Sequence, residues 1–97
     1  MNALFDIQFT RRHITRCRAK SAALRVSGKS PVAAARYLLR TLRRENPQGV
    51  YSLVSVSPVA ADASFAAQAD RARRAVRSHK LTGERLEVLR AVARGTK

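Results

Sequence analysis

The chain has 97 residues, of which 20 are Lys or Arg and 6 are Asp or Glu, and its net charge is +14. A chain of this length predicts one domain, residues 1–97, with one modest hydrophobic core. Its single cysteine excludes an internal disulfide framework and a cysteine-rich zinc site, and no apolar run approaches the roughly 18 residues of a membrane span. The chain also starts without the basic-then-apolar order of a secretory signal, so we expect a cytoplasmic protein with no membrane partner.

The basic residues are concentrated in two blocks. Residues 11–44 contain 11 basic residues and no acidic one, and residues 71–80 contain five basic residues and no acidic one. Residues 45–70 contain three acidic residues and no basic one. Such segregation favours a polyanionic partner, because unrelieved repulsion between like charges destabilises a folded domain. The candidate nucleic-acid-binding residues are Arg11, Arg12, Arg16, Arg18, Lys20, Arg25, Lys29, Arg36, Arg40, Arg43, Arg44, Arg73, Arg74, Arg77 and Lys80.

The first predicted element is a half-buried strand over residues 4–9. Apolar and polar residues alternate there, which places Phe5, Ile7 and Phe9 on one face of the strand. A second strand is predicted over residues 22–27, with Leu24 and Val26 directed inward.

The segment between these strands, residues 12–21, fits either a strand or a helix. A strand is favoured, because a hairpin would give residues 22–27 a neighbour at small loop entropy. Either structure directs the basic residues to solvent, and Cys17 is expected to be buried.

A helix is predicted to begin at Ser30-Pro31, because serine is a good N-cap and proline fits the first helical position. The helix ends before the turn residues 46–49. Its predicted apolar face consists of Val32, Ala35, Leu38, Leu39 and Leu42. A second stripe consists of Arg36, Arg40 and Arg43, and it is expected to present guanidinium groups to successive phosphates.

Residues 50–56 are rich in β-branched residues and predict a further strand with Val50, Val54 and Val56 on one face. Tyr51 and Leu53 would then face outward, where they are candidate protein-interaction residues. The order strand, helix, strand over residues 22–57 predicts a crossover between parallel strands.

Two helices are predicted in residues 61–95. The first has an apolar stripe of Phe65, Ala69, Ala72 and Val76. The second begins after the N-cap residue Thr82 and ends near Gly95. Its predicted buried face consists of Leu86, Leu89 and Ala93.

Within this last segment, the order Leu81-Thr82, polar residues and then Glu87-Val88-Leu89 resembles the first helix of LuxR-type helix-turn-helix domains. The resemblance includes neither a scaffold helix nor a recognition helix, so no DNA-contacting residue is carried over from it. We expect this helix to pack on the domain or on a partner subunit.

No catalytic or cofactor motif is present in the sequence. Gly28-Lys29-Ser30 lacks the glycine that a P-loop needs five residues earlier, where Ala23 stands. His13 and His79 have no companions at metal-ligand spacing. We therefore expect a non-enzymatic protein without metal or cofactor.

The sequence as a whole predicts an α+β fold, with a small sheet of three to four strands covered by a basic amphipathic helix and followed by two C-terminal helices. The expected function is a small nucleic-acid-binding accessory protein that holds phosphates of DNA or RNA with weak sequence specificity, since few aromatic residues remain for base stacking. The alternative is an adaptor or inhibitor that docks on an acidic protein surface, as phages and plasmids encode. A homodimer through the helix of residues 82–94 is a third prediction, with Leu86 and Leu89 as candidate protein-interaction residues.

Overall fold

A computed structural model of the protein describes residues 2–60, 62–78 and 80–95. In chain order its elements are β1 (Ala3–His13), β2 (Lys20–Gly28), α1 (Pro31–Glu45), β3 (Gly49–Pro58), α2 (Ala63–Val76) and α3 (Gly83–Arg94). The strands form one sheet in the order β2–β1–β3, and β1 is antiparallel to both neighbours. The predicted α+β class, with two helices after the sheet region, is confirmed.

The β1–β2 hairpin resolves the ambiguity over residues 12–21. β1 continues to His13 and β2 begins at Lys20, so residues 14–19 form the connecting turn and loop. The strand favoured for residues 12–21 is therefore wrong at residues 14–19, although a hairpin does form, and the neighbour of β2 in it is β1. The expectation that Cys17 is buried is wrong, because this residue is exposed in the connecting loop.

In the unit β2–α1–β3 the two strands are parallel, as predicted, but they are not adjacent in the sheet. Both outer strands are antiparallel to β1, so they are parallel to each other, but β1 lies between them. α1 begins as predicted, because the Ser30 hydroxyl accepts a hydrogen bond of 3.1 Å from the Ala33 N–H.

The core lies between the sheet and the three helices. Phe5, Ile7 and Phe9 of the central strand are buried as predicted, and the rings of Phe5 and Phe65 lie 6.4 Å apart. Leu24 lies on the core face opposite Ile7, yet 48% of it is exposed, since β2 is an edge strand.

The face of β3 that enters the core differs from the prediction. A bulge interrupts the pairing with β1, since Gln8 lies opposite Ser55 and Phe9 opposite Leu53. The extra residue, Val54, reverses the alternation on its N-terminal side. Tyr51 and Leu53 are therefore core residues, 8% and 5% exposed, and their predicted outward orientation is wrong; Val54, predicted on the core face, is exposed.

α2 begins at a carboxylate cap. The Asp62 carboxylate accepts hydrogen bonds from the Ser64 hydroxyl at 2.8 Å and the Ser64 N–H at 2.9 Å. These bonds favour the charged form and hold the pKa of the Asp62 carboxyl below its ordinary value. The helix buries Phe65 and the two alanines of the predicted stripe, Ala69 and Ala72, as expected.

α3 lies along the free edge of β3. The Glu87 carboxylate accepts a hydrogen bond of 3.0 Å from the Leu53 N–H, and Arg94 donates one of 3.4 Å to the Val54 carbonyl. A Cβ at Gly95 would overlap the Val56 carbonyl oxygen, so glycine permits this close approach. The helix thereby covers a strand edge that would otherwise be open to pairing with another chain.

The buried face of α3 is rotated from the predicted one. Val88, Ala91 and Val92 are fully buried, because α3 packs against both α2 and β3. The predicted buried residues Leu86, Leu89 and Ala93 are half-buried, and Leu89 and Ala93 pack against the core, so the predicted face is confirmed only in part. None of the helices in the described ranges combines the length and hydropathy of a membrane span.

Candidate nucleic-acid interface

The end of the β1–β2 hairpin forms an open groove of about 610 Å³. His13, Thr15, Asn46 and Tyr51 contribute to its lining, together with five basic residues. We call these five the hairpin cluster; they are Arg11, Arg12, Arg16, Arg18 and Lys20.

The strands and the turn that follows α1 hold the hairpin cluster in place. Arg11 lies directly opposite Lys20 on one side and Tyr51 on the other, so the sheet register fixes a row across its end. The Ile14 N–H donates to the Gln48 carbonyl at 2.8 Å, and the His13 imidazole is hydrogen bonded to the Gln48 side chain at 2.9 Å. The hairpin end is thus braced against the α1–β3 connection.

Two members of the groove have structural roles. The Arg12 guanidinium donates to the Arg16 carbonyl at 3.0 Å, which fixes the start of the loop. The Tyr51 ring packs beside Phe9, with ring centroids 6.4 Å apart, and is nearly buried. Tyr51 is therefore part of the groove wall and presents no open ring for stacking.

The hairpin cluster carries positive charge that no neighbouring carboxylate neutralises. Among the residues that the structure describes, no Asp or Glu oxygen lies within 4.0 Å of a side-chain nitrogen of the cluster. Arg11, Arg16, Arg18 and Lys20 are exposed, and Arg12 is half-buried. Five positive charges therefore line a single solvated groove.

The arginine stripe of α1, defined as Arg36, Arg40 and Arg43, has a different environment. Glu84 of α3 lies 3.4 Å from Arg36 and 3.5 Å from Arg40, measured from each arginine Nε to Oε1. Arg43 lies 3.3 Å from Glu87 and 3.8 Å from Glu84. The sequence analysis expected this stripe to be available to phosphates, whereas the fold pairs each of its guanidinium groups with a glutamate.

Sequence reasoning missed this pairing because the partners are distant along the chain. Glu84 follows Arg36 by 48 residues, and Glu87 follows Arg43 by 44. Helical spacing identifies contacts within one helix, and it carries no information on which helix packs alongside.

The remaining predicted binding residues lie outside the groove. Arg25 pairs with Asp6 across the hairpin at 3.0 Å, and Arg73 pairs with Asp70 at 2.8 Å on α2. The others are side chains on the surface; they are Lys29, Arg44, Arg74, Arg77 and Lys80.

The predicted protein-interaction residues also divide in two. Tyr51 and Leu53 are in the core, so these two residues do not form the outward face of β3 that the adaptor prediction gave them. Leu86 and Leu89 remain partly accessible on α3.

The described part of the chain contains no group of three or more His, Cys, Asp or Glu side chains arranged to hold a metal ion. His79, named in the sequence analysis, lies outside the described residues.

Comparison with known proteins gives no relative for this chain. No protein-family model matches it, and neither the curated proteins nor the solved structures include a significant match. The functional argument therefore depends on the geometry and charge of the chain itself.

Proposed function

We propose that the protein binds nucleic acid through its hairpin cluster, by contacts to phosphates and with weak sequence specificity. The observation that supports this proposal is the groove at the hairpin end, where five basic side chains converge with no acidic partner in the described residues. A net charge of +14 adds long-range attraction for any polyanion.

The chemistry of the cluster suits the oxygens of phosphate groups. Four of its members are arginines, whose planar guanidinium group donates two parallel hydrogen bonds to the oxygens of one phosphate. The spacing is fixed by the sheet at Arg11 and Lys20 and by the ordered loop at Arg16. A preorganised set of donors loses less conformational entropy on binding than free surface side chains do.

Weak sequence specificity follows from what the groove contains. Base identity is recognised mainly by hydrogen bonds and apolar contacts to base edges, whereas phosphate contacts fix position without reading sequence. The groove is lined mainly by long basic side chains, and its aromatic residue, Tyr51, is nearly buried. The proposed ligand is therefore a duplex or folded nucleic acid held by its backbone.

The proposal is tested by titrating the protein onto labelled blunt duplexes of DNA and of RNA at several salt concentrations. Engagement of about four or five phosphates should give a log–log salt slope near −4 on duplex DNA, because each neutralised phosphate releases condensed counterions. Neutralising Arg11, Arg16, Arg18 and Lys20 to glutamine should make the slope less steep by roughly 3 to 4. Arg12 is kept, because it hydrogen bonds to the Arg16 carbonyl.

A matched control separates a local surface from net charge. Neutralising Arg71, Arg74, Arg77 and Arg90 to glutamine removes the same charge from surface positions outside the groove. This control should leave most of the slope intact. Equal losses in both variants, or salt-insensitive binding by the unchanged protein, would overturn the proposal.

A further inference from the structure

The outward face of α1 carries an exposed aromatic ring that packing does not explain. Tyr37 is 62% exposed, whereas most large aromatic side chains contribute to a core. It lines a shallow surface concavity of about 410 Å³ with Ala33, Thr41 and three arginines. The structure shows no hydrogen bond from its hydroxyl to any described residue, so the polar group has no partner within the described ranges.

Basic side chains lie beside this ring at helical spacing. Arg40 and Arg44 follow Tyr37 by three and seven residues, so all three lie on one side of α1. Arg40 is shared with Glu84, whereas Arg44 has no ion pair within the described ranges. The ring is thus accompanied by at least one available guanidinium group.

The concavity around Tyr37, which we call the Tyr37 surface, and the hairpin groove are both lined by residues near the C-terminal end of α1. Arg44 lines the Tyr37 surface, and Asn46, which caps the same helix, lines the hairpin groove. A rise of 1.5 Å per helical residue places Tyr37 about 14 Å from Asn46 along the α1 axis. A few nucleotides of a strand that leaves the hairpin groove can span this axial separation.

We infer that Tyr37 is a stacking site for one unpaired base of the bound nucleic acid, with Arg44 holding an adjacent phosphate. This inference rests on the proposed function and adds a ligand class to it, namely a duplex or folded nucleic acid that carries an unpaired segment. An exposed tyrosine ring stacks on any base, because every base has a π-face, so the site selects for the unpaired state rather than for sequence.

The test compares two ligands of equal charge. Each is the same duplex with a short single-stranded extension, of adenines in one and of abasic residues in the other, prepared in DNA and in RNA. The protein should bind the adenine extension about 5- to 150-fold more tightly than the abasic one, the range that corresponds to about 1–3 kcal/mol for stacking of one base. The Y37A variant should lose this preference, and Y37F, which keeps the ring, should retain it.

The intrinsic fluorescence of the protein gives a second readout. The sequence has no tryptophan and two tyrosines, and Tyr51 is nearly buried, so quenching by a bound ligand reports mainly on Tyr37. The adenine extension should quench the emission more strongly than the abasic one. Because Tyr37 is mostly exposed, Y37A should fold normally, which a thermal melt checks.

The outcomes separate this inference from the proposed function. If Y37A keeps the preference for adenine, or if the unchanged protein has no preference, the stacking site is excluded while salt-dependent binding of blunt duplexes still supports the hairpin cluster. If no ligand binds in a salt-dependent way, both the inference and the proposed function fail. Equal weakening of adenine and abasic binding in Y37A would also exclude stacking.

Discussion

The hairpin cluster and the arginine stripe are two basic regions that differ in what faces them. The hairpin cluster lines a groove with no acidic partner among the described residues, whereas the stripe faces Glu84 and Glu87 across the α1–α3 contact. In the stripe, three positive charges meet two negative ones. The difference shows that the count of arginines in a segment does not measure the charge available to a ligand.

The stripe also has a structural consequence that the hairpin cluster lacks. Glu87 pairs with Arg43 through one oxygen and accepts the Leu53 N–H through the other, so a single carboxylate joins α1, α3 and the edge of β3. Exposed ion pairs of this kind contribute little individually, but a network anchored on a backbone hydrogen bond contributes more. We therefore propose that the stripe contributes to stability and that the hairpin cluster contributes to the proposed binding.

The largest expected effect on nucleic-acid binding comes from neutralising three arginines of the hairpin cluster, compared with three arginines of the stripe. Changing Arg11, Arg16 and Arg18 to glutamine should make the salt slope on duplex DNA less steep by about 3, with little change in melting temperature. Changing Arg36, Arg40 and Arg43 to glutamine should change the slope by less than about 1 and lower the melting temperature, since Glu84 and Glu87 lose their partners. Salt titrations measure the change in slope, and thermal melts measure the change in melting temperature, for both variants. A larger change in slope in the stripe variant than in the hairpin variant would contradict this proposal.

The fold was more predictable from sequence than the distribution of available charge. Local signals identified the strands and helices: alternation at Phe5, Ile7 and Phe9, and the Ser30-Pro31 start of α1. Local periodicity did not reveal the bulge at Val54, because one inserted residue reverses every orientation on its N-terminal side. Tyr51 was consequently assigned to the wrong face.

The sequence identified the basic residues of the candidate site, but it did not show which of them share one accessible surface. The sequence marked the hairpin cluster and the arginine stripe equally, since both belong to one acid-free segment. What separates them is the position of α3, which depends on the packing of Val88 and Val92 between α2 and β3. The contacts between α1 and α3 join residues far apart in sequence, so local sequence patterns did not predict them.

An intermediate effect on nucleic-acid binding is expected when the arginines of the stripe lose their glutamate partners. The double change Glu84→Gln and Glu87→Gln removes the acidic partners, while the amide that replaces the second carboxylate keeps an oxygen that can accept the Leu53 N–H. Nucleic-acid affinity at low salt should rise, and the salt slope should become steeper by roughly 2, as stripe arginines become available to phosphates. The control is Asp6→Asn with Asp70→Asn, which adds the same net charge away from α1. An equal gain in this control would show that net charge alone determines affinity.

A smaller effect is expected from loosening the hairpin cluster without changing its charge. Gln48→Ala removes the side-chain hydrogen bond to His13 while the backbone bond to Ile14 remains. The affinity should fall by about 2- to 5-fold, which corresponds to one hydrogen bond of about 0.5–1 kcal/mol, with an unchanged salt slope. The exposed Gln8→Ala change on the sheet is the control. A change in slope would mean that Gln48 affects the number of phosphate contacts.

The central claim, that the hairpin cluster rather than the arginine stripe contacts phosphate, is tested most directly by NMR titration of isotope-labelled protein with a short blunt duplex. The side-chain Nε–Hε resonances of arginine report on each guanidinium group separately. We predict large shifts for Arg11, Arg16 and Arg18, and small ones for Arg36 and Arg43, which stay paired with the glutamates of α3. Large shifts confined to Arg36 and Arg43, with Arg16 and Arg18 unchanged, would contradict the account.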